Sequence, residues 1–330
     1  MLRRREAAFT LTELIVATAV LGVILVFVFG TMLTTQKKAI AVDETVEVQQ
    51  AARTIADLIE RDLRHTGMMV SDAAALCGID NRTTPDRFWV SDWEIVIPGK
   101  DLRPRLGATV TGAVNLPASG TLFTVDSLIL EEGTPAPAYD ADGNGVLDSD
   151  FATNSGVILA DENNPSRGSA CGTLVSVSPP NQLRYVLEAG GLGPVPAGGK
   201  TPSIVAVPAV RYFVDANGNL FRGPYQLATN VEDVQLAWFV DSDGDNVIDA
   251  GEYRGDGVGA DYAALGTSAA DLREVRLNVV LRTDTADPQV QTGNPVATEN
   301  RTPSVTNDGF RRRVYTSVVR LRNLGRRVQL

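Results

Sequence analysis

Twelve residues, Asp241 to Glu252, read DSDGDNVIDAGE, with carboxylates at positions 1, 3, 5, 9 and 12. Hard divalent cations take oxygen ligands, and this is the spacing by which a twelve-residue loop wraps calcium. Asp241, Asp243 and Asp245 offer three side chains, Val247 a backbone carbonyl, Asp249 a further carboxylate and Glu252 a bidentate pair of oxygens. Asn246 replaces the usual glycine at position 6, and asparagine tolerates a left-handed backbone better than most residues. A second stretch, DADGNGVLDSD, is a weaker copy. Asp140, Asp142, Asn144, Val146 and Asp148 fill positions 1 to 9, but position 12 is Phe151, so the bidentate acid is missing unless Asp150 substitutes for it. The expected ligand is Ca2+ in a structural role; the alternative is a pair of solvated acidic turns.

One further carboxylate stands apart. Glu13 lies inside a run that is otherwise apolar or small from Phe9 to Gly30. An unpaired carboxylate near the start of a membrane span costs about 2 to 3 kcal/mol or more, so a partner is expected.

Other reactive chemistry is sparse. The single histidine, His65, leaves little material for a histidine-rich zinc site or a Ser-His-Asp arrangement, and reads as a cap or surface residue. GPVPAGGKT fails the phosphate-loop spacing, because Pro194 stands where that motif needs glycine. No catalytic residues are assigned and no enzyme is expected. Cys77 and Cys171 make one disulfide if the chain is exported, and two unrelated thiols if it is not. The formal charge of -10 makes nucleic acid an unlikely partner over the general surface. The arginines that cluster from Arg311 to Arg327 read as strand-edge protection and intersubunit pairing.

The elements that must carry these groups can be traced in order. Arg3, Arg4 and Arg5 precede the apolar run, which is long enough as a helix to cross a bilayer, and place its start on the cytoplasmic side. From Gln36 to His65 there is no Gly or Pro, and Val48, Ala52, Ile55 and Ile59 recur at steps of four and three. A continuous helix from Phe9 to about His65 would be roughly 80 Å long, with Gly67 as its stop signal. Beyond Met69, FWVSDWEIVI, TLFTVDSLILEE, SIVAVPAVRYFVD, VEDVQLAWFVD, LREVRLNVVLRTD and RRRVYTSVVRLRN read as strands, and residues 133 to 156, 190 to 202 and 284 to 309 as long loops. Asp215 to Asn219 reads as a hairpin turn.

Two resemblances join these pieces. AAFTLTEL resembles the class III signal of type IV prepilins. That implies cleavage between Ala8 and Phe9 by a prepilin peptidase and N-methylation of Phe9, and it puts Glu13 in the place of the family's intramembrane glutamate, there to meet the terminal amine of a neighbouring subunit. The family usually has Gly before the cut, where this chain has Ala8. LATNVEDVQLAWFVDSDGDNVIDAGEY, VRYFVDANGNLFRG and the last two strands are similar to PilW-type minor pilins of the type IV pilus. The resemblance implies an α+β, pilin-like fold: leader 1–8, transmembrane and assembly helix 9–34, amphipathic stalk helix 35–67, and a mainly antiparallel β head 68–330. It further implies an inner-membrane precursor with a periplasmic head, then incorporation in an extracellular pilus beside other minor and major pilins, in an assembly or initiation role at the tip. A J-type pseudopilin of a type II secretion system is the alternative on the same fold. A membrane-anchored, calcium-dependent surface enzyme is the alternative of another class.

Overall fold

The computed structural model describes residues 10–94, 107–130, 149–245, 247–249, 251–256, 271–287, 297–302 and 308–324. One helix, α1 (Leu11–His65), opens the chain. Among the described residues fourteen strands follow: β1 (Leu76–Ile79), β2 (Arg87–Ser91), β3 (Ala108–Thr109), β4 (Leu122–Thr124), β5 (Gly156–Asp161), β6 (Ser169–Ser178), β7 (Gln182–Gly190), β8 (Ile204–Val214), β9 (Leu220–Arg222), β10 (Tyr225–Ala228), β11 (Val231–Val240), β12 (Tyr253–Arg254), β13 (Leu272–Arg282) and β14 (Arg312–Arg320). The first ten build one sheet, whose main path runs β1-β2-β8-β5-β6-β7-β4, with β3 and β9 on β8 and β10 on β9. The last four build a second, in the order β12-β11-β13-β14. Every pairing is antiparallel.

Compactness divides the chain into Met1–Glu47 and Val48–Leu330. The first unit holds the apolar part of α1, whose side chains from Leu11 to Leu33 are exposed. Its threonines hide their hydroxyls within the helix. Thr18, Thr31, Thr34 and Thr35 donate to the carbonyls of Leu14, Phe27, Gly30 and Thr31, at 2.9 to 3.1 Å. Such back-bonding removes the polar cost that a hydroxyl would carry in an apolar medium.

In the second unit α1 turns amphipathic. Ala52, Ile55, Ala56, Ile59 and Leu63 form one buried stripe, packed with Leu76, Phe88, Val90 and Tyr212 from the first sheet and with Leu236, Trp238, Val275, Leu277 and Val279 from the second. The helix stops after His65, with Gly67 in the left-handed region at φ 79°. Asn323 caps it from the far end of the chain, its Nδ2 donating to the carbonyls of His65 (3.1 Å) and Thr66 (3.3 Å).

The first sheet has cores on both faces of β5. Val157 and Leu159 pack with Phe123, Leu174 and Tyr185, while Ile158 and Ala160 pack with Trp89, Val207 and the cysteines. Trp89 fits because Gly156 carries no side chain. A Cβ on Gly156 would stand 2.6 Å from the Trp89 ring, and the Trp89 Nε1 donates to the Gly172 carbonyl at 3.1 Å. Pro208 sits inside β8, where proline removes a ladder donor. It is tolerated because it falls between the β8 residues that pair β3 (Val205, Ala206) and those that pair β2 (Ala209 to Tyr212).

Three strand expectations need correction. TLFTVDSLILEE is a strand only over Leu122–Thr124: Asp126 takes the N–H of Thr109 and Ser127, and Ser127 exchanges hydrogen bonds with Ile129, which turns the chain. Within FWVSDWEIVI the described strand ends at Ser91: Asp92 N–H still reaches Pro208 O at 2.9 Å, but the Glu94 N–H turns back to the Asp92 carboxylate, and residues 95–97 lie outside the described residues. Strands β5, β6 and β7 were absent from the sequence reading.

Candidate functional site

At the start of α1 the sequence Thr10-Leu-Thr-Glu13 forms a reciprocal cap. Glu13 Oε2 accepts the backbone N–H and the hydroxyl of Thr10, both at 2.9 Å, and Thr10 Oγ1 accepts the Glu13 N–H at 3.3 Å. This is the capping box, in which two orphan donors of the first turn are satisfied at once. It answers part of the question raised by Glu13: the carboxylate has partners within its own chain. The sequence reading missed it, although the T-x-x-E spacing carries the signal. Ala8 and Phe9 lie outside the described residues.

The acidic loop after β11 closes around its own carboxylates. Oxygens of Asp241, Asp243 and Glu252 lie within 4.8 Å of one another, and so do those of Asp243, Asp245 and Asp249. Asp241 and Glu252 are buried, and the other three are exposed. Backbone donors hold the shape. Glu252 accepts the N–H of Ser242 (2.7 Å) and Asp249 (2.8 Å), and these hold its carboxyl below its ordinary pKa. Asp241 accepts the Gly244 N–H at 2.8 Å, and Asp245 the Val247 N–H at 2.7 Å. The loop is anchored by Val240 N–H to Glu252 O and Asp241 N–H to Asp271 O. The donor set is all oxygen, as a hard cation requires. Arg273 on β13 offsets part of the charge, its Nη2 standing 2.9 Å from Asp241 Oδ2. Asn246 lies outside the described residues. So does all of the weaker set, Asp140, Asp142, Asn144, Val146 and Asp148. Its downstream neighbours are engaged elsewhere: Asp150 accepts the Leu130 N–H at 2.6 Å, and Phe151 is buried in the core.

A second charged site, unnoticed in the sequence, lies where α1 meets the sheet. Asp62 is fully buried in the helix. Its Oδ2 accepts from the Tyr212 hydroxyl at 2.7 Å and from Arg222 Nε at 2.8 Å, and its Oδ1 from Trp93 Nε1 at 3.3 Å. Arg222 reaches on to Glu94 at 2.7 Å, which Arg61 also grips at 2.8 Å. Burial opposes the Arg222 charge, but the hydrogen bond and charge of Asp62 outweigh it and hold its pKa above the ordinary value. Desolvation and the same carboxylate push the Tyr212 phenol well up. This network fixes the register of the helix on β8 and β9. His65 belongs to its rim: the ring stacks on Trp93 at 4.3 Å, and Nδ1–H donates to the Arg61 carbonyl at 2.7 Å.

Cys77 on β1 and Cys171 on β6 are bonded, their Cα atoms 6.2 Å apart. Four strand pairings separate β1 from β6 along the sheet, so the sheet coils to bring them together, and β1 also contacts β7.

A basic leader, a long apolar helix opened by a capping glutamate, and an amphipathic continuation packed on antiparallel sheets define a prepilin-type protein, and residues 3–29 match the prokaryotic N-terminal methylation motif. Residues 197–323 match the family described as Type IV Pilus-assembly protein W. The two matches, which together cover less than half of the chain, make it similar to PilW-like minor pilins of the type IV pilus. No curated protein matches it. Among solved structures, the type IV-like pilin TTHA1219 from Thermus thermophilus is similar at 16% identity, over 53% of this chain and 86% of that one, with a TM-score of 0.24.

Proposed function

We propose that this chain takes part in assembling and initiating a type IV pilus, in a tip or priming complex with other minor and major pilins. Prepilin peptidase cuts between Ala8 and Phe9, the head faces the periplasm, and the processed helix packs with its neighbours in the inner membrane and then in the filament. The observation that carries this reading is Glu13: an ionisable residue one turn into an exposed apolar helix, in a chain whose C-terminal part matches a pilus-assembly family. The Thr10 cap leaves Glu13 Oε1 to face the Phe9 amine of a neighbour, and pairing offsets the cost of burying either charge. Intact mass and amino-terminal sequencing of the protein from native membranes test the processing: a methylated Phe9 supports it, and an uncleaved Met1 overturns it. Deletion of the gene is then expected to lower the number of surface pili, with normal piliation as the contrary result.

The head binds Ca2+ through Asp241, Asp243, Asp245, Val247, Asp249 and Glu252. Support comes from the all-oxygen donor set and the converging carboxylates. The cation stiffens the loop and does no chemistry. Calorimetric titration of the chelator-treated protein is expected to show binding that Asp243→Ala with Glu252→Gln weakens at least tenfold. Equal heats from the wild type and the double variant would return the loop to a solvated turn.

A further inference from the structure

The last strand of the second sheet has one side unused. β14 pairs with β13 in an unbroken register from Arg312 opposite Arg282 to Arg320 opposite Glu274, and with no other described strand. Thr283 N–H donates to Arg311 O and Leu321 N–H to Arg273 O, both at 2.9 Å. In an antiparallel ladder the bonded positions alternate. The odd-numbered residues of β14 therefore bond to β13, and Arg312, Val314, Thr316, Val318 and Arg320 direct their N–H and C=O groups away from it. Val314 and Val318 are exposed, at 38% and 53%. An edge of this length and composition is a template for another strand.

Charge decides what can use it. Glu232 and Asp308 neutralise Arg312, and Asp287 pairs with Arg311. Arg313, Arg320 and Arg322 are exposed and close no ion pair within 4.0 Å with a described carboxylate. A second copy laid parallel in register would stack Arg313 and Arg320 each on itself. Like charges directly opposite are destabilising. We propose that the outer edge of β14 is a strand-addition site for an extended segment of another protein, β-branched at its centre and acidic at its ends. The inference rests on this edge alone and stands apart from the pilus reading.

The test uses the full chain in detergent micelles and two nine-residue peptides of alternating Val and Thr, one with paired glutamates at its ends and one with paired lysines. Fluorescence anisotropy is expected to show the glutamate peptide binding at least tenfold more tightly than the lysine peptide, with slower amide exchange at Val314, Thr316 and Val318. Val318→Pro deletes an outward N–H and spares the ladder to β13, so it should weaken binding at least tenfold. Should that variant unfold, the charge reversal Arg313→Glu with Arg320→Glu is expected to invert the preference between the peptides. Equal binding of the two peptides, no binding of either, unchanged preference in the charge-reversed variant, or dimers that Val318→Pro abolishes would each overturn the proposal.

Discussion

Glu13 shows how one residue can serve two masters. Its Oε2 closes the first turn of its own helix, so removal costs a cap of about 1 kcal/mol in addition to any partner it meets in a filament. Glu13→Val is expected to keep membrane insertion and lower piliation. Thr10→Ala, which loses half the cap and keeps the carboxylate, should affect piliation less; equal loss in both would assign the defect to helix fraying alone. Asp62 is the corresponding residue in the head. Asp62→Ala strands Arg222 and the Tyr212 hydroxyl in a buried site, and a loss of about 3 to 5 kcal/mol is expected by urea denaturation. Asp86 predicts a pH dependence. Desolvation raises its pKa well above 3.8, against the opposing hydrogen bonds from Asn81 and Leu236, with Asp80 and Asp233 adding to the rise. A carboxyl whose folded pKa is raised contributes stability below its unfolded pKa and loses it as pH climbs through the folded value. The contribution of Asp86 should therefore fall as pH rises from 3.8 through its raised folded value, and Asp86→Asn should flatten that slope in thermal melts.

At the scale of elements, α1 owes its second half to packing. Its buried stripe faces both sheets, so Ile59→Ala should cost about 2 to 5 kcal/mol without changing the denaturant slope. That stripe was legible because steps of three and four put Val48, Ala52, Ile55 and Ile59 on one side of any helix. Strands β8, β11, β13 and β14 were legible for the same kind of reason, as long β-branched runs bounded by turn residues. β5, β6 and β7 were not. GVILAD in β5 is buried on both faces and so shows no alternation. β6 begins with the small residues Ser169, Ala170, Cys171 and Gly172, the last packed so closely that a Cβ would overlap the Val186 carbonyl and stand 2.9 Å from the Tyr185 ring. Neither pattern differs locally from a loop.

Across the whole molecule, the disulfide ties residues 94 apart in sequence and closes a coiled sheet. Replacing both cysteines by alanine is expected to lower stability by about 2 to 5 kcal/mol, read as a fall in denaturation midpoint equal to that of the reduced wild type. What the sequence by itself determined were the properties that depend on spacing along the chain: the apolar span and its glutamate, the amphipathic stripe, the oxygen-rich loop, the longer strands. Helix and strand periods are local, and a twelve-residue loop carries its carboxylates within itself. The tertiary structure decided what depends on residues far apart. Tyr212 and Arg222 lie 150 and 160 positions from the Asp62 that they hold, Asn323 lies 258 positions from the helix end that it caps, and Arg273 stands against Asp241 from another strand. Such partners are chosen by sheet order and register. Those follow from how the whole chain buries its apolar surface, and no local pattern records them.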